Sequence, residues 1–196
     1  MALTPVPDNE IAAVVTSLEM TTRPLPRPMP DSRLRLARWE APSSGKYRAL
    51  FKRVGERWMW FSRMIMPDDA LQAIIGDVGI EVYAVVDPAG VEVGMLELDF
   101  REGATCEISF LGLIPELNGK GHGRWLMAQA QARAWRVGIG RVWVHTCTLD
   151  HPSALNFYRA QGFTAFRREL ETFADPRLTG HMPADSAPQI PVLSRR

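Results

Sequence analysis

The sequence predicts an α+β fold, with a mixed, mostly antiparallel β-sheet carrying helices on both faces. Three stretches lead to it. From Glu107 to Ile114 runs an apolar segment rich in strand-forming residues; it breaks at Pro115 into a turn holding Gly119, Gly121 and Gly123. A helical stretch follows, with Leu126, Met127, Ala130, Ala134 and Val137 on one face. Upstream, IEVYAVV and VEVGMLELDF flank the tetrad Asp87-Pro88-Ala89-Gly90, which signals a hairpin. Downstream, RVWVHTCTL and FTAFRRELETF alternate polar and apolar residues as strands do, and a short helical segment separates them.

A chain of 196 residues falls in the single-domain range and can bury a real core. Its hydrophobic fraction of 46% and charged fraction of 23% exclude wholesale disorder. Lys and Arg number 23 against 22 Asp and Glu, a balance that argues against nucleic acid or an anionic membrane as the main partner. Cys106 and Cys147 sit in or beside expected strands, as reduced core thiols of a cytosolic protein would. The N-terminus lacks a signal-peptide layout and no apolar run is long enough to span a bilayer, so a cytoplasmic protein is expected.

In chain order, residues 1–30 form a proline-rich arm in which Ile11 to Met20 can make an edge strand. RLRLARW alternates as a strand from Arg33 to Trp39. Ser43, Ser44 and Gly45 start a helix that ends near Gly55. RWMWFSRMIM is apolar almost all round and halts at Pro67, and Asp68 and Asp69 open a further helix closed by Gly76. Glu102-Gly103 turns the chain into the strand that leads to the glycines. Gly138 and Gly140 end the following helix, and Asp150 or His151 can cap the one opened by Pro152. Residues 31–174 make the folded body. Residues 175–196 carry four prolines and no periodicity, as an irregular tail or a partner-wrapping arm would.

Strand, glycine turn and helix together hold a phosphate-bearing ligand. Glycines admit φ > 0 and close approach, and the free N–H groups of a helix start point at the anion. The dinucleotide pattern G-x-G-x-x-G fails because Arg124 stands at its last position, and the triphosphate loop G-x-x-x-x-G-K-S/T does not occur. Asn118-Gly119-Lys120-Gly121-His122-Gly123 instead resembles the pyrophosphate loop of the GNAT (general N-acetyltransferase) superfamily, Q/R-x-x-G-x-G/A, with Asn118 in place of Gln or Arg. HPSALNFYRAQGF resembles that family's late helix, N-x-x-A-x-x-F/L-Y-x-x-x-G-F: Ala154, Phe157, Tyr158, Gly162 and Phe163 match, while His151 stands where Asn is usual. The resemblance covers roughly residues 33–173 and is specific between Glu107 and Phe163.

This resemblance implies a GNAT-like fold and an acetyl-CoA-dependent N-acetyltransferase. The acetyl group would pass by direct attack to a primary amine of a small molecule or peptide. The alternative is a non-catalytic acyl-CoA-binding module for sensing or assembly. The loop from Asn118 through Gly119, Lys120, Gly121, His122 and Gly123 to Arg124 would hold the pyrophosphate of coenzyme A. Leu113 and Ile114 would pair their main chain with the pantetheine arm, and His151 would take the place of the pantetheine-binding Asn. Tyr158 falls at the family's general-acid tyrosine and Glu107 at a place where several members keep a base, with His145 a rival base. Trp58 and Trp60, with Phe61, lie in the region that lines the acceptor pocket, so an aromatic wall for an amine is expected there beside a purely packing role. The four histidines show no metal-site spacing, and a homodimer is allowed.

Overall fold

Among residues 2–193, which the computed structural model describes, seven strands form one sheet. They are β1 (Glu10–Met20), β2 (Arg35–Trp39), β3 (Ile80–Val86), β4 (Glu92–Asp99), β5 (Thr105–Leu113), β6 (Arg141–Cys147) and β7 (Thr164–Ala174). Their spatial order is β2-β3-β4-β5-β6-β1-β7, and each neighbouring pair is antiparallel except β5 with β6. Helices α1 (Ser44–Gly55), α2 (Ser62–Ile65) and α3 (Asp68–Ile75) precede the β3–β4 hairpin; α4 (His122–Ala134) joins β5 to β6, and α5 (Ala154–Ala160) joins β6 to β7.

The sheet separates two cores. On one face α4 buries Trp125, Leu126, Met127, Ala130 and Ala134 against Leu98, Ile108, Val142 and Val144, and Tyr158 of α5 joins them. On the other, Tyr47, Leu50, Phe51 and Val54 of α1 and Leu71 and Ile75 of α3 cover Val82, Ala84 and Met95. Each fully buried Leu, Ile, Val, Phe or Met among them contributes about 1.5–3 kcal/mol. A carboxylate sits inside this second core. Glu97 is fully buried, accepts a hydrogen bond from the Tyr47 hydroxyl at 2.6 Å and pairs with Arg63 at 2.7 Å, which ties α1 and α2 to β4. Burial, then the charge of Glu97, pushes the Tyr47 phenol well above its usual value, so the network holds a neutral tyrosine.

The Ile11–Met20 strand does not lie at an edge. β1 is paired on both sides, with β6 and β7, leaving β7 outermost. The prolines flank this stretch and none lies within it, so its N–H groups are free to pair along both edges. The helix after the glycines is also shorter than expected. It stops at Ala134, and Val137, expected on its packed face, is fully exposed. Between α1 and α3 the apolar run makes a single 3₁₀ turn (Glu56–Trp58) and the one-turn α2; Met59 sits between them at φ 57° and aims Trp60 back at α1. Residues 175–193 pack on their own domain: Met182 and Ala187 are buried with Ile11 and Met59, and Phe61, Phe173 and Ile190 pack against them.

Candidate active site

β5 and β6 diverge. Their parallel pairing covers only Thr105, Cys106 and Glu107 against Arg141, Val142 and Trp143; beyond it both strands continue without each other. The glycine loop lies at the open end of this gap. Gly119 (φ 75°) and Gly121 (φ 84°) are left-handed, and Gly121 is the cap of α4. No main-chain N–H from Gly119 to Gly123 finds an acceptor among the described residues. A Cβ on Gly119 would meet nothing within 4 Å and one on Gly121 only the tip of Arg124, so the space before these amides is open. A helix start with several unpaired donors at an open face fits a pyrophosphate.

Strand β5 carries a bulge at Ser109, where the register against β4 shifts: Phe110 opposes Glu97 but Ile108 opposes Leu98. Strict alternation would put Ile108 and Phe110 on one face. The bulge instead leaves Ile108 in the α4 core and turns Phe110 to the α1 core, where Phe51 meets it edge-on at 4.9 Å. It also decides which amides face the gap. Ile114 donates its N–H to Val93 at 2.9 Å and its carbonyl accepts from Leu117 at 3.0 Å, so its main chain is already committed. The backbone pairing expected of Ile114 therefore falls away. Because ladder bonds alternate, Leu113 and Leu111 are the residues whose main-chain groups point from β4 into the gap.

A cleft of about 830 Å³ runs from this gap across the sheet. It brings together Tyr158, Glu107, Leu113, Asn118, Gly119, Gly121, Gly123, Arg124, His151, Trp58 and Trp60. Three residues of the sequence-based set, Ile114, Lys120 and His122, do not line it; His122 Nδ1 lies 3.0 Å from the Ser32 hydroxyl. Tyr158 is 8% exposed, with its ring against Phe157 and Phe163 at 5.5 and 6.1 Å. Its hydroxyl has no hydrogen-bond partner among the described residues. Burial, and then the charge of Asp150, raises its pKa far above the phenol norm, so the proton stays on.

The opposite wall holds Glu107, whose Oε1 lies 3.2 Å from His145 Nδ1. Next to it is a residue whose role the sequence hid. Asp150, expected as a helix cap, accepts the Trp60 indole N–H at 3.3 Å, the Thr146 hydroxyl at 2.6 Å and the Cys147 amide at 3.0 Å. It thus fixes Trp60, whose side chain also packs on Gly55 and Gly112; a Cβ on Gly55 would lie 2.3 Å from Trp60. Neither Asp150 nor His151 is the cap of α5, which is Ser153; His151 Nδ1 accepts from the Ser153 amide at 3.2 Å while Trp58 meets its ring edge-on at 5.1 Å. Phe61 and Phe173 meet with tilted rings at 4.7 Å and, with Glu171, complete this side; their spacing in sequence gave no sign of the meeting. Cys147 also lines the cleft, and burial pushes its thiol up to about 11, which keeps it from acting as a nucleophile.

The cleft thus combines a parted strand pair, an amide-lined loop at the opening and a buried tyrosine. The sequence pattern of the Acetyltransferase (GNAT) family matches residues 47–163, and the chain belongs to that family. Among solved structures it is similar to a tandem GNAT protein from the clavulanic acid biosynthesis pathway (TM-score 0.60, 18% identity, covering 83% of this chain and 53% of that one). It is likewise similar to a GCN5-related N-acetyltransferase from Sphaerobacter thermophilus (0.59, 15%, 83% and 51%). An aminoglycoside acetyltransferase from an uncultured soil metagenomic sample matches at 0.56 and 20% identity, covering 73% of this chain and 96% of that one. The chain thus spans about half the length of the first two. No curated protein matches it. Acetyl-CoA use is typical of the family, and no helix among the described residues is long and apolar enough to cross a membrane.

Proposed function

We propose that this protein transfers the acetyl group of acetyl-CoA to a primary amine by direct attack. The observation that carries the reading is the run of five unpaired amides, Gly119 to Gly123, at the mouth of the gap between β5 and β6. These amides hold the pyrophosphate, with the Lys120 and Arg124 side chains adding charge from the rim. Leu113 and Leu111 offer main-chain groups to the pantetheine arm as an added strand would use them. His151, its Nδ1 engaged by Ser153, keeps an Nε2–H donor for the same arm. Trp58 and Trp60 wall the acceptor, a cation that an aromatic face attracts.

Two proton transfers complete the reaction. A Lys-type ammonium, pKa about 10.4, must lose a proton before nitrogen can attack, and Glu107 stands on the side that removes it. Tyr158, held protonated by burial, gives its proton to the departing thiolate. The experiment is a panel of tyramine, spermidine, kanamycin and a lysine peptide with acetyl-CoA, following free thiol. Turnover with at least one amine is expected. Coenzyme A binding without thiol release would make the protein a sensing or assembly module instead.

The loop makes its own prediction. Gly121→Val puts a β-branched residue at φ 84°, a conformation such residues rarely adopt, and fills the open space before the amides. A folded Gly121→Val protein should lose coenzyme A binding by calorimetry; unchanged affinity would remove the loop from the site.

A further inference from the structure

The acceptor side of the cleft holds two groups able to take a proton, and they touch. Glu107 belongs to the closed end of the gap, in the last pair that still joins β5 to β6, Glu107 with Trp143. His145 is two residues further along β6, past the point where the strands part, so its ring stands in the opening itself. Its side chain is 47% exposed against 22% for Glu107. Nδ1 lies 3.2 Å from the Glu107 carboxylate, an acceptor that favours the Nδ1–H tautomer and so leaves the Nε2 lone pair free. Nε2 has no hydrogen-bond partner among the described residues. Behind the ring, β1 presents Ser17, buried, directly across the ladder.

We infer that His145 Nε2 takes the proton of the acceptor amine, and that Glu107 is a positioning residue acting through it. The inference rests on the acetyl-transfer reading and deepens it. The ammonium gives one proton to Nε2, forming an imidazolium that later returns it to solvent. The nitrogen lone pair then forms the C–N bond at the thioester carbonyl carbon and the C–S bond breaks. The thiolate gains a proton from Tyr158, which the second proton shed by the new amide nitrogen balances.

The surroundings suit this role. The charged groups facing His145 are Glu107 from β5, Glu171 from β7 and Asp150 after β6, and the Trp143 ring lies 6.0 Å away on its own strand. Of the cleft's arginines, Arg63 is engaged by Glu97 and Arg101 by Asp99, and Arg124 belongs to the glycine loop at the start of α4. The Glu107 hydrogen bond raises the His145 pKa above its ordinary value, and burial opposes it without cancelling it. A base strengthened in this way and standing in the opening is what the step needs.

The test separates the two residues by pH profile, using acetyl-CoA and the fastest amine of the panel. In the parent, the acid limb of kcat/KM should report His145. His145→Gln should abolish that limb and lower turnover by ~10²–10⁴-fold. Glu107→Gln should keep the limb but move it to lower pH, because the carboxylate that raises the imidazole pKa is gone. The double variant should be no slower than His145→Gln alone, since Glu107 has no other route to the reaction. A limb abolished by Glu107→Gln and kept in His145→Gln would overturn the inference and make the carboxylate the base. Proton and nitrogen NMR titration of His145 in the unliganded protein gives a reading independent of turnover. The neutral ring should carry its proton on Nδ1, and its pKa should fall in Glu107→Gln; an Nε2–H tautomer or an unmoved titration would refute the pairing. Should His145→Gln fail to fold, His145→Asn takes its place. Absence of turnover with every amine in the parent would count against acetyl transfer itself, and the NMR result would still decide the pair.

Discussion

Replacing Tyr158 with phenylalanine should lower turnover by ~10²–10⁴-fold, the usual worth of a placed general acid, with folding and coenzyme A affinity almost unchanged. The change removes one oxygen. That oxygen has no hydrogen-bond partner to lose among the described residues, while the ring keeps its contacts with Phe157 and Phe163. The raised pKa makes a second expectation. A phenol held above its normal range by burial stays an acid through neutral pH, so no basic limb attributable to it should show there. The loss will be at the lower end of the range if amine attack, and not thiolate departure, limits the rate. Full activity of Tyr158→Phe with matched acetyl-CoA affinity would assign the ring to packing alone.

How the tyrosine came to be legible is instructive beside what was not. Tyr158 and the glycine loop are local: each rests on a run of a few residues whose helix or turn forms whatever lies across the cleft. The same holds for the β3–β4 hairpin and for α1 and α3, whose caps and breakers stand next to the residues they govern. Features set by pairing partners were hidden. The place of β1 depends on which strands lie beside it, and flanking prolines misdirected the reading toward an edge. The bulge at Ser109 leaves no mark in composition, yet it reverses Phe110, and with Ile114 committed to Val93 the main-chain groups that face the gap are those of Leu113 and Leu111. Asp150 reads as a helix cap because its neighbour is His-Pro; only the return of Trp60 from 90 residues away shows its use. Glu107 and His145 were rivals in sequence, 38 residues apart, and the short parallel contact of β5 with β6 makes them a pair.

The C-terminal tail extends this point and supports the largest stability change expected. Arg177 and Asp175, only 2% and 4% exposed, pair at 2.7 Å, and the guanidinium also donates to the carbonyls of Ser186, Ala187 and Ile190. One arginine therefore gathers a loop with no regular structure, where periodicity had nothing to report. Arg177→Met leaves a buried carboxylate without its partner and should cost about 3–5 kcal/mol at pH 7 by urea unfolding. The pH dependence carries the sign. In the parent, burial works to raise the Asp175 pKa but the hydrogen bonds from Arg177 outweigh it and hold it below the usual value, so its contribution is present above about pH 3.9 and lost only as pH falls through the depressed folded value. In Arg177→Met the guanidinium's hydrogen bonds and charge are lost while the main-chain N–H groups of residues 177 and 178 still reach the carboxylate, so burial is less opposed and the pKa rises from its value in the parent; the penalty is present near pH 7 and is relieved as pH falls toward about 4. The deficit relative to the parent should thus shrink between pH 7 and 4. Asp175→Asn/Arg177→Met, which removes the lone charge but not the loss at the three carbonyls, should be more stable at pH 7 than Arg177→Met alone. Equal losses in both, without pH dependence, would reduce the pair to packing. Because the tail buries Met182 and Ala187 against Met59 and packs on Phe61, loosening it should also raise KM for the amine while coenzyme A affinity, set by the loop at α4, stays the same.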